Sequence, residues 1–283
     1  MKRFLLPLLL TAASAWASSS PLFSPVLVQL PGDRRAELLG AWTGSAWLSP
    51  VKTAPRIRGG ETYRPLSLSG LATRVQGGRA ESRGAPGDPC DTAFAVPFPS
   101  SPAPETFRLL VPGALQGRPR PVVSLPINNP TYRDIVRNEL ASRGLLNAKV
   151  NLLGITRMDL DGNGTQEVIV EAAHFTDRHD LFPPPVGVPG DYSLLLLRQV
   201  VNGRVVTTPV GVHLAPQPRW DPSSDTPMPL ATLYRLAGVA DLNGDGRMEI
   251  ITFGSYYEGY ALNVSEWSPR SGLQSRLQGG CGV

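Results

Sequence analysis

Two nine-residue segments, 82 positions apart, have the same pattern of oxygen-bearing side chains and glycines. The first runs from Asp159 to Glu167 (DLDGNGTQE) and the second from Asp241 to Glu249 (DLNGDGRME). Each has Asp or Asn at positions 1, 3 and 5, glycine at positions 4 and 6, and glutamate at position 9. A tight glycine turn lets alternating oxygens converge on one point, and Ca²⁺ takes about six to eight oxygen ligands. The repeat therefore predicts two calcium sites.

The predicted ligands are four side chains and one backbone carbonyl in each loop. In the first loop they are Asp159, Asp161, Asn163 and Glu167, with the carbonyl of Thr165. In the second loop they are Asp241, Asn243, Asp245 and Glu249, with the carbonyl of Arg247. Six of the 23 acidic residues lie in these loops, where like charges would repel one another without a cation. The alternative is a pair of Asp/Asn/Gly-rich hairpin turns without metal, which the repetition at matching positions disfavours.

The residues after each loop exclude an EF-hand. An EF-hand carries a bidentate glutamate at position 12, where this chain has Val170 and Thr252. The segments that follow, from Val168 and from Ile250, are rich in β-branched residues, which favour strands over helices. Each cation loop is therefore predicted to join two strands.

The loops, their apolar flanks and the lead-in Gly238-Val239-Ala240 resemble the calcium loops of FG-GAP and VCBS-type repeats. Such repeats occur in integrin α-chain propellers and in secreted bacterial proteins, and the likeness is greatest to secreted bacterial VCBS-repeat proteins. It covers about Lys149 to Ala172 and Leu236 to Trp267. The sequence departs from the family in having glutamate at position 9, two recognisable copies, and no Gly-Ala-Pro element in register with either loop. The resemblance implies calcium binding, and it implies no reaction.

The rest of the chain predicts a mainly β protein with propeller-like or irregular antiparallel sheets. Glycine and proline together make up 58 of 283 residues, which favours turns and short strands. One helix is expected at about 130–143, because Asn129 suits an N-cap, Pro130 the first helical position and Gly144 a C-terminal cap. We expect an N-terminal β region at 18–128 and the helix with the two repeats at 129–283, as one continuous domain.

Residues 1–17 have the three parts of a secretory signal. Lys2 and Arg3 form the basic start, an apolar stretch continues to Ala13, and Ala15-Trp16-Ala17 provides a small-x-small cleavage site. No later stretch is long and apolar enough for a membrane span. We therefore expect a secreted, periplasmic or envelope protein without a span after removal of the signal.

The two cysteines, Cys90 and Cys281, are predicted to form a disulfide in such an oxidising compartment. Two unpaired thiols, or a redox role for the pair, are the alternatives. The formal charge is +4, or 25 − 23 = +2 without Lys2 and Arg3, and the basic residues are scattered singly. Apart from the adjacent pair Arg34-Arg35 they form no run, and this pattern argues against nucleic-acid binding.

The sequence contains none of the familiar enzyme signatures, including the nucleophile elbow, the P-loop, the dinucleotide fingerprint and the metalloprotease helix. His174, Asp177, His179 and Asp180 could bind a transition metal, but their spacing matches no zinc pattern, and a solvated loop is the simpler interpretation.

Two further groups of residues suggest function beyond the loops. Glu171 and Glu258 could complete a cation shell or form a hydrolytic pair, although acids on the polar face of a strand are commoner. Four aromatic residues could instead form a sugar or partner platform, although strand aromatics usually pack within the sheet: Tyr256, Tyr257, Tyr260 and Trp267.

The function expected from the sequence is an exported calcium-binding β protein. The two Ca²⁺ are structural, and the protein binds or adheres to a protein or glycan at the cell envelope. The alternative is a calcium-stabilised extracellular hydrolase that acts on glycan or cell-wall polymer.

Overall fold

The computed structural model describes residues 23–68, 70–71, 73–178 and 180–282. These residues form a mainly β protein with antiparallel sheets, as the sequence predicts. The predicted export signal and His179 lie outside the described residues.

An N-terminal sheet contains nine strands among the described residues. They are β1 (Ser24–Gln29), β2 (Arg35–Trp42), β3 (Trp47–Leu48), β4 (Thr62–Ser67), β5 (Gly70–Leu71), β6 (Val75–Gln76), β7 (Glu81–Ser82), β8 (Phe94–Pro97) and β9 (Arg108–Pro112). The strand order is β5-β4-β9-β1-β2-β8-β7, with β3 beside β2 and β6 beside β4. Strands distant in sequence therefore become neighbours in this sheet.

Two further sheets are simple meanders, in which each strand pairs with the next along the chain. The middle sheet contains β10 (Val122–Ser124), β11 (Leu152–Met158), β12 (Glu167–His174), β13 (Tyr192–Val201) and β14 (Arg204–Leu214). The C-terminal sheet contains β15 (Leu233–Ala240), β16 (Glu249–Tyr256), β17 (Gly259–Ser268) and β18 (Gly272–Gly282). The C-terminal sheet has the four strands of a propeller blade, and the middle sheet has one more.

The predicted helix is confirmed as α2, Pro130–Ser142. The side chain of Asn129 caps it by accepting a hydrogen bond from the Thr131 N–H at 3.1 Å, and Gly144 follows with a φ of 92°. The expectation of a single helix is wrong, because a short helix, α1 (Pro50–Thr53), continues into a 3-10 turn at Ala54–Arg56. These few residues lack the repeated apolar spacing that reveals a longer helix. Neither α-helix in the described ranges has the length and apolar character needed to cross a bilayer.

The C-terminal sheet lies between the other two sheets. One face, with Ile251 and Phe253, packs against apolar residues of the N-terminal sheet such as Leu109. The opposite face, with Ile250, packs against residues of the middle sheet such as Leu195. Both regions expected from the sequence therefore contribute side chains to shared cores.

The predicted disulfide is present and joins Cys90 to Cys281, with the two Cα atoms 5.1 Å apart. Cys281 lies in β18, and Cys90 lies in the connection between β7 and β8. The bond therefore links the last strand of the C-terminal sheet to the N-terminal region.

Candidate metal centre

Both carboxylate loops connect the strands of a hairpin, as predicted. The first joins β11 to β12, and Met158 pairs with Glu167 where the loop closes. The second joins β15 to β16, and Ala240 pairs with Glu249 in the same register. Position 9 is thus the first residue of the returning strand in both loops, which fixes its carboxylate beneath the turn.

The two loops share five internal hydrogen bonds, and the first has one more, from the Asn163 side-chain amide to Asp161. In each, the position 1 aspartate accepts from the N–H groups of positions 4 and 6, and one oxygen of the position 9 glutamate accepts from the N–H of position 2. Side-chain oxygens at positions 3 and 5 each accept from the N–H two residues later. All ten donor–acceptor distances lie between 2.6 and 3.2 Å. The loops are therefore preorganised copies of one turn.

In the first loop the side chains at positions 1, 3 and 9 converge. One oxygen each of Asp159, Asp161 and Glu167 lies within 4.8 Å of the other two. Among the residues that the structure describes, no other set of three histidine, cysteine or carboxylate groups converges so closely. In the second loop position 3 is Asn243, so the equivalent positions offer two carboxylates and an amide oxygen. The third acid, Asp245, is at position 5, where its Oδ1 accepts from a backbone N–H.

Burial raises the proton affinity of carboxyl groups in both loops. Desolvation, with the nearby charges of Asp161 and Asp159, raises the pKa of Glu167 to about 7. Desolvation also raises the pKa of Glu249 to about 9 and raises the pKa of Asp241. A divalent cation would supply the positive charge that keeps such buried carboxylates ionised.

One oxygen of the second loop has no partner within the described part of the chain. Oε2 of Glu249 accepts from the Leu242 N–H at 2.7 Å, whereas the buried Oε1 accepts no hydrogen bond. A buried acceptor without a partner is costly, since its desolvation is not offset. A hard cation among these oxygens would satisfy Oε1, so the residues present fit Ca²⁺. The carbonyls of Thr165 and Arg247 stay predicted ligands.

A segment of the N-terminal region braces both loops, and the sequence analysis did not identify it. The carbonyl of Gly117 accepts from the Asp241 N–H at 2.7 Å. The Arg120 guanidinium donates to the carbonyls of Asp159 and Leu160 at 2.7 and 2.9 Å. The loops also contact each other, because the Met248 N–H donates to the Leu160 carbonyl at 2.9 Å. No spacing in the sequence links these distant residues.

The other candidate acids do not form a site with the loops. Glu171 is buried in an ion pair with Arg235, at 2.8 Å, and it also accepts from the Leu236 N–H at 2.9 Å. Its carboxylate therefore joins the middle and C-terminal sheets rather than completing a cation shell. Glu258 is exposed in the turn between β16 and β17. His174, Asp177 and Asp180 form no converging metal group with each other or with other described residues.

The four aromatic residues do not form one platform. Trp267 is buried between the middle and C-terminal sheets. The Tyr260 ring stacks on Phe253 with centroids 5.8 Å apart, on the core side of the sheet. Tyr256 and Tyr257 are partly exposed, and their rings meet edge to face with centroids 6.1 Å apart.

Comparison of the chain with protein-family models, with curated proteins and with solved structures finds no match. The resemblance to FG-GAP and VCBS-type repeats therefore stays a prediction that depends on the two loops and their flanking strands.

Proposed function

We propose that this chain is an exported β protein that binds two Ca²⁺ in its paired hairpin loops, of the kind found in FG-GAP and VCBS-type repeats. The observation that carries the proposal is the hydrogen-bond framework that the two loops share, together with the buried Oε1 of Glu249, which has no partner among the described residues. Turns without metal would have no need to hold such an acceptor out of water.

The proposed role of calcium is structural. Both loops lie at the closed ends of hairpins, and they contact each other and the Gly117 to Arg120 segment. A cation that binds the folded loops better than the unfolded chain stabilises the fold by mass action, by about 2.7 kcal/mol per site at a hundred times Kd. The affinity expected of extracellular modules, about 10⁻⁴ to 10⁻³ M, would suffice where calcium is abundant.

Calorimetric titration of chelator-treated protein with Ca²⁺ is expected to detect two sites. Glu167→Gln and Glu249→Gln should each abolish one site, because an amide supplies one oxygen and no charge where the carboxylate supplies two oxygens. Unfolding temperature, followed in the same samples, should rise with calcium in proportion to the sites that remain. A matched control is Glu258→Gln, an exposed acid outside the loops. Absence of binding and of stabilisation at about 10 mM Ca²⁺ would refute the proposal.

The two loops place their three acids differently: position 3 is Asp161 in the first loop and Asn243 in the second, where the third acid is Asp245 at position 5. Affinity of oxygen sites rises with the number of charged ligands. Asn243→Asp should therefore tighten the second site, and Asp161→Asn should weaken the first, each by about tenfold. Unchanged affinity in both variants would show that position 3 does not contact the cation.

For the whole protein we propose a binding or adhesion role at the cell envelope. The disulfide and the predicted signal at 1–17 support an exported location. The alternative is a calcium-stabilised hydrolase that acts on glycan or cell-wall polymer, which requires a pocket that gathers acids. The described residues of the groove on the C-terminal sheet include none, whereas a pocket of about 180 Å³ beside the second loop is lined by Asp245, Glu249 and Glu266.

A further inference from the structure

A groove of about 680 Å³ opens on one face of the C-terminal sheet. Near Ile250 this face packs against the middle sheet, but from Thr252 to Tyr256 it is open. Val210 of β14 borders one side and Val51 of α1 the other. Ligand sites usually have volumes of about 300 to 1,000 Å³, so the groove is large enough for a small molecule.

Strand register arranges the floor of the groove in parallel rows. Residues directly opposite each other in antiparallel strands point to the same face. Thr252 pairs with Asn263, which pairs with Gln278, and these three make a polar row across β16, β17 and β18. The next row contains Gly254 and Ala261, two residues farther along their strands, or about 7 Å away. A polar row thus flanks a floor of small residues.

The side chains of the polar row have no hydrogen-bond partners among the residues that the structure describes. Within the described ranges, Thr252, Asn263 and Gln278 make no side-chain hydrogen bond, although each lines the groove. Together they offer one hydroxyl and two amide groups, which both donate and accept. Such a row can form hydrogen bonds with a ligand that carries several hydroxyl groups.

Two tyrosines border the floor. The ring of Tyr234 packs across Gly254, because a Cβ added there would lie 3.5 Å from its Cδ1 and Cε1 atoms. The Tyr234 ring also packs against Gly211 of β14, where a Cβ would lie 2.4 Å from its Cγ, so the ring leaves no space there for a side chain. Tyr256 lies over the backbone at Gly282 in β18. Their partly exposed rings give the groove flat apolar surfaces beside its polar row.

The described residues that line the groove carry no formal charge, since no Asp, Glu, Lys, Arg or His is among them. A charged ligand would lose its hydration there without gaining an ion pair. We infer that this groove binds a neutral carbohydrate, with a pyranose ring against the tyrosines and its hydroxyl groups on the row of Thr252, Asn263 and Gln278. The apolar C–H face of such a ring matches an aromatic surface, and its equatorial hydroxyls match amide groups.

This inference supplies the ligand class for the binding role proposed above and depends on that role. It concerns residues outside both calcium loops, so the two proposals fail separately. The test is saturation-transfer NMR on the full mature chain with Ca²⁺ present. The probes are glucose, galactose, mannose and N-acetylglucosamine, each at about 20 mM, so that binding with millimolar Kd is detected. Glucuronate and a tetra-alanine peptide would serve as charged and peptidic probes. We expect transfer to at least one of the four neutral sugars and none to the two other probes.

Three variants and one control locate the binding. Gly254→Val fills the floor with a residue that suits a strand, and it should abolish transfer. Asn263→Ala and Gln278→Ala should each weaken affinity by about tenfold through loss of hydrogen bonds. Gln274→Ala changes the same residue type on the same strand outside the groove and should leave affinity unchanged. Circular dichroism and thermal unfolding verify each fold, and the two alanine variants decide the question if Gly254→Val does not fold.

Three results would overturn the inference. The first is the absence of transfer to any of the four neutral sugars. The second is binding that persists undiminished in the folded groove variants. The third is binding of the peptide or of glucuronate alone, which would assign the groove to another class of ligand.

Discussion

Replacing Glu171 by alanine is expected to lower the free energy of unfolding by about 3 to 5 kcal/mol, because it leaves buried groups without a partner. The Glu171 side chain is 3% exposed, and its Oε2 accepts from both Arg235 Nε and the Leu236 N–H. Truncation would leave the partly buried guanidinium of Arg235 and the buried N–H of Leu236 without this acceptor, where the middle and C-terminal sheets meet. Urea unfolding, followed by tryptophan fluorescence, measures the loss.

Glu171→Gln is the matched control for this prediction. Glutamine retains an oxygen that can accept from the Leu236 N–H and removes the charge opposite Arg235. The loss should then be smaller, about 1 to 2 kcal/mol. Equal losses in the two variants would mean that the ion pair, rather than the backbone hydrogen bond, accounts for the whole effect.

Gly154 provides an independent test of the same contact. A Cβ at Gly154 would lie 3.1 Å from the Cδ of Glu171 and closer still to Oε1. Gly154→Ala should therefore displace the carboxylate and destabilise the wild-type protein, yet cost much less in the Glu171→Ala background, where the space is empty. A double-mutant cycle isolates this coupling. Additive losses would contradict the arrangement of the two residues.

The local features of the fold could be predicted from the sequence because each depends on neighbouring residues. The N-cap at Asn129, the first-turn proline at Pro130 and the glycine at Gly144 define α2 within one residue at its C-terminal end. The strands on either side of each loop follow from β-branched runs. The strand β18 was not predicted, since its glycines and polar residues, exposed at Gln274 and Gln278, lack a clear alternating pattern.

Long-range arrangement could not be predicted, for a physical reason. In the N-terminal sheet β1 lies between β2 and β9, and β9 pairs with β4, so the order depends on contacts between distant residues. Two-residue strands such as β6 and β7 are too short to show a period. Packing against neighbouring strands, rather than intrinsic preference, decides their conformation.

The same distinction applies to the sites. Spacing alone identified the carboxylates of both loops, because a cation loop takes its ligands from one short segment. It could not identify Arg120, which meets the first loop only through tertiary structure. Nor could it identify the groove, whose polar row combines Thr252, Asn263 and Gln278 from three strands in a particular register.

Removing the Cys90–Cys281 disulfide is expected to destabilise the protein by about 2 to 5 kcal/mol. The bond closes a loop with a sequence separation of 191 residues, for which the chain-entropy model gives about 5 kcal/mol as an upper value. The double variant Cys90→Ser/Cys281→Ser avoids the intermolecular pairing that a single free thiol would permit. Urea unfolding of this variant and of the oxidised wild type measures the difference.

Two mechanisms could cause this loss of stability, and the position of the disulfide allows them to be distinguished. Because β18 is the edge strand of its sheet and pairs with β17 alone, the bond also holds its end against the N-terminal region. If the bond acts mainly on the unfolded chain, amide exchange in the inner strand β16 and in the edge strand β18 should accelerate by the same global factor. If the bond also prevents fraying, its removal should accelerate exchange of the amides of Gly280 to Gly282 by a larger factor than exchange of the amides of β16. Unchanged stability in the double variant would mean that packing alone fixes β18, through contacts such as Leu277 against the core.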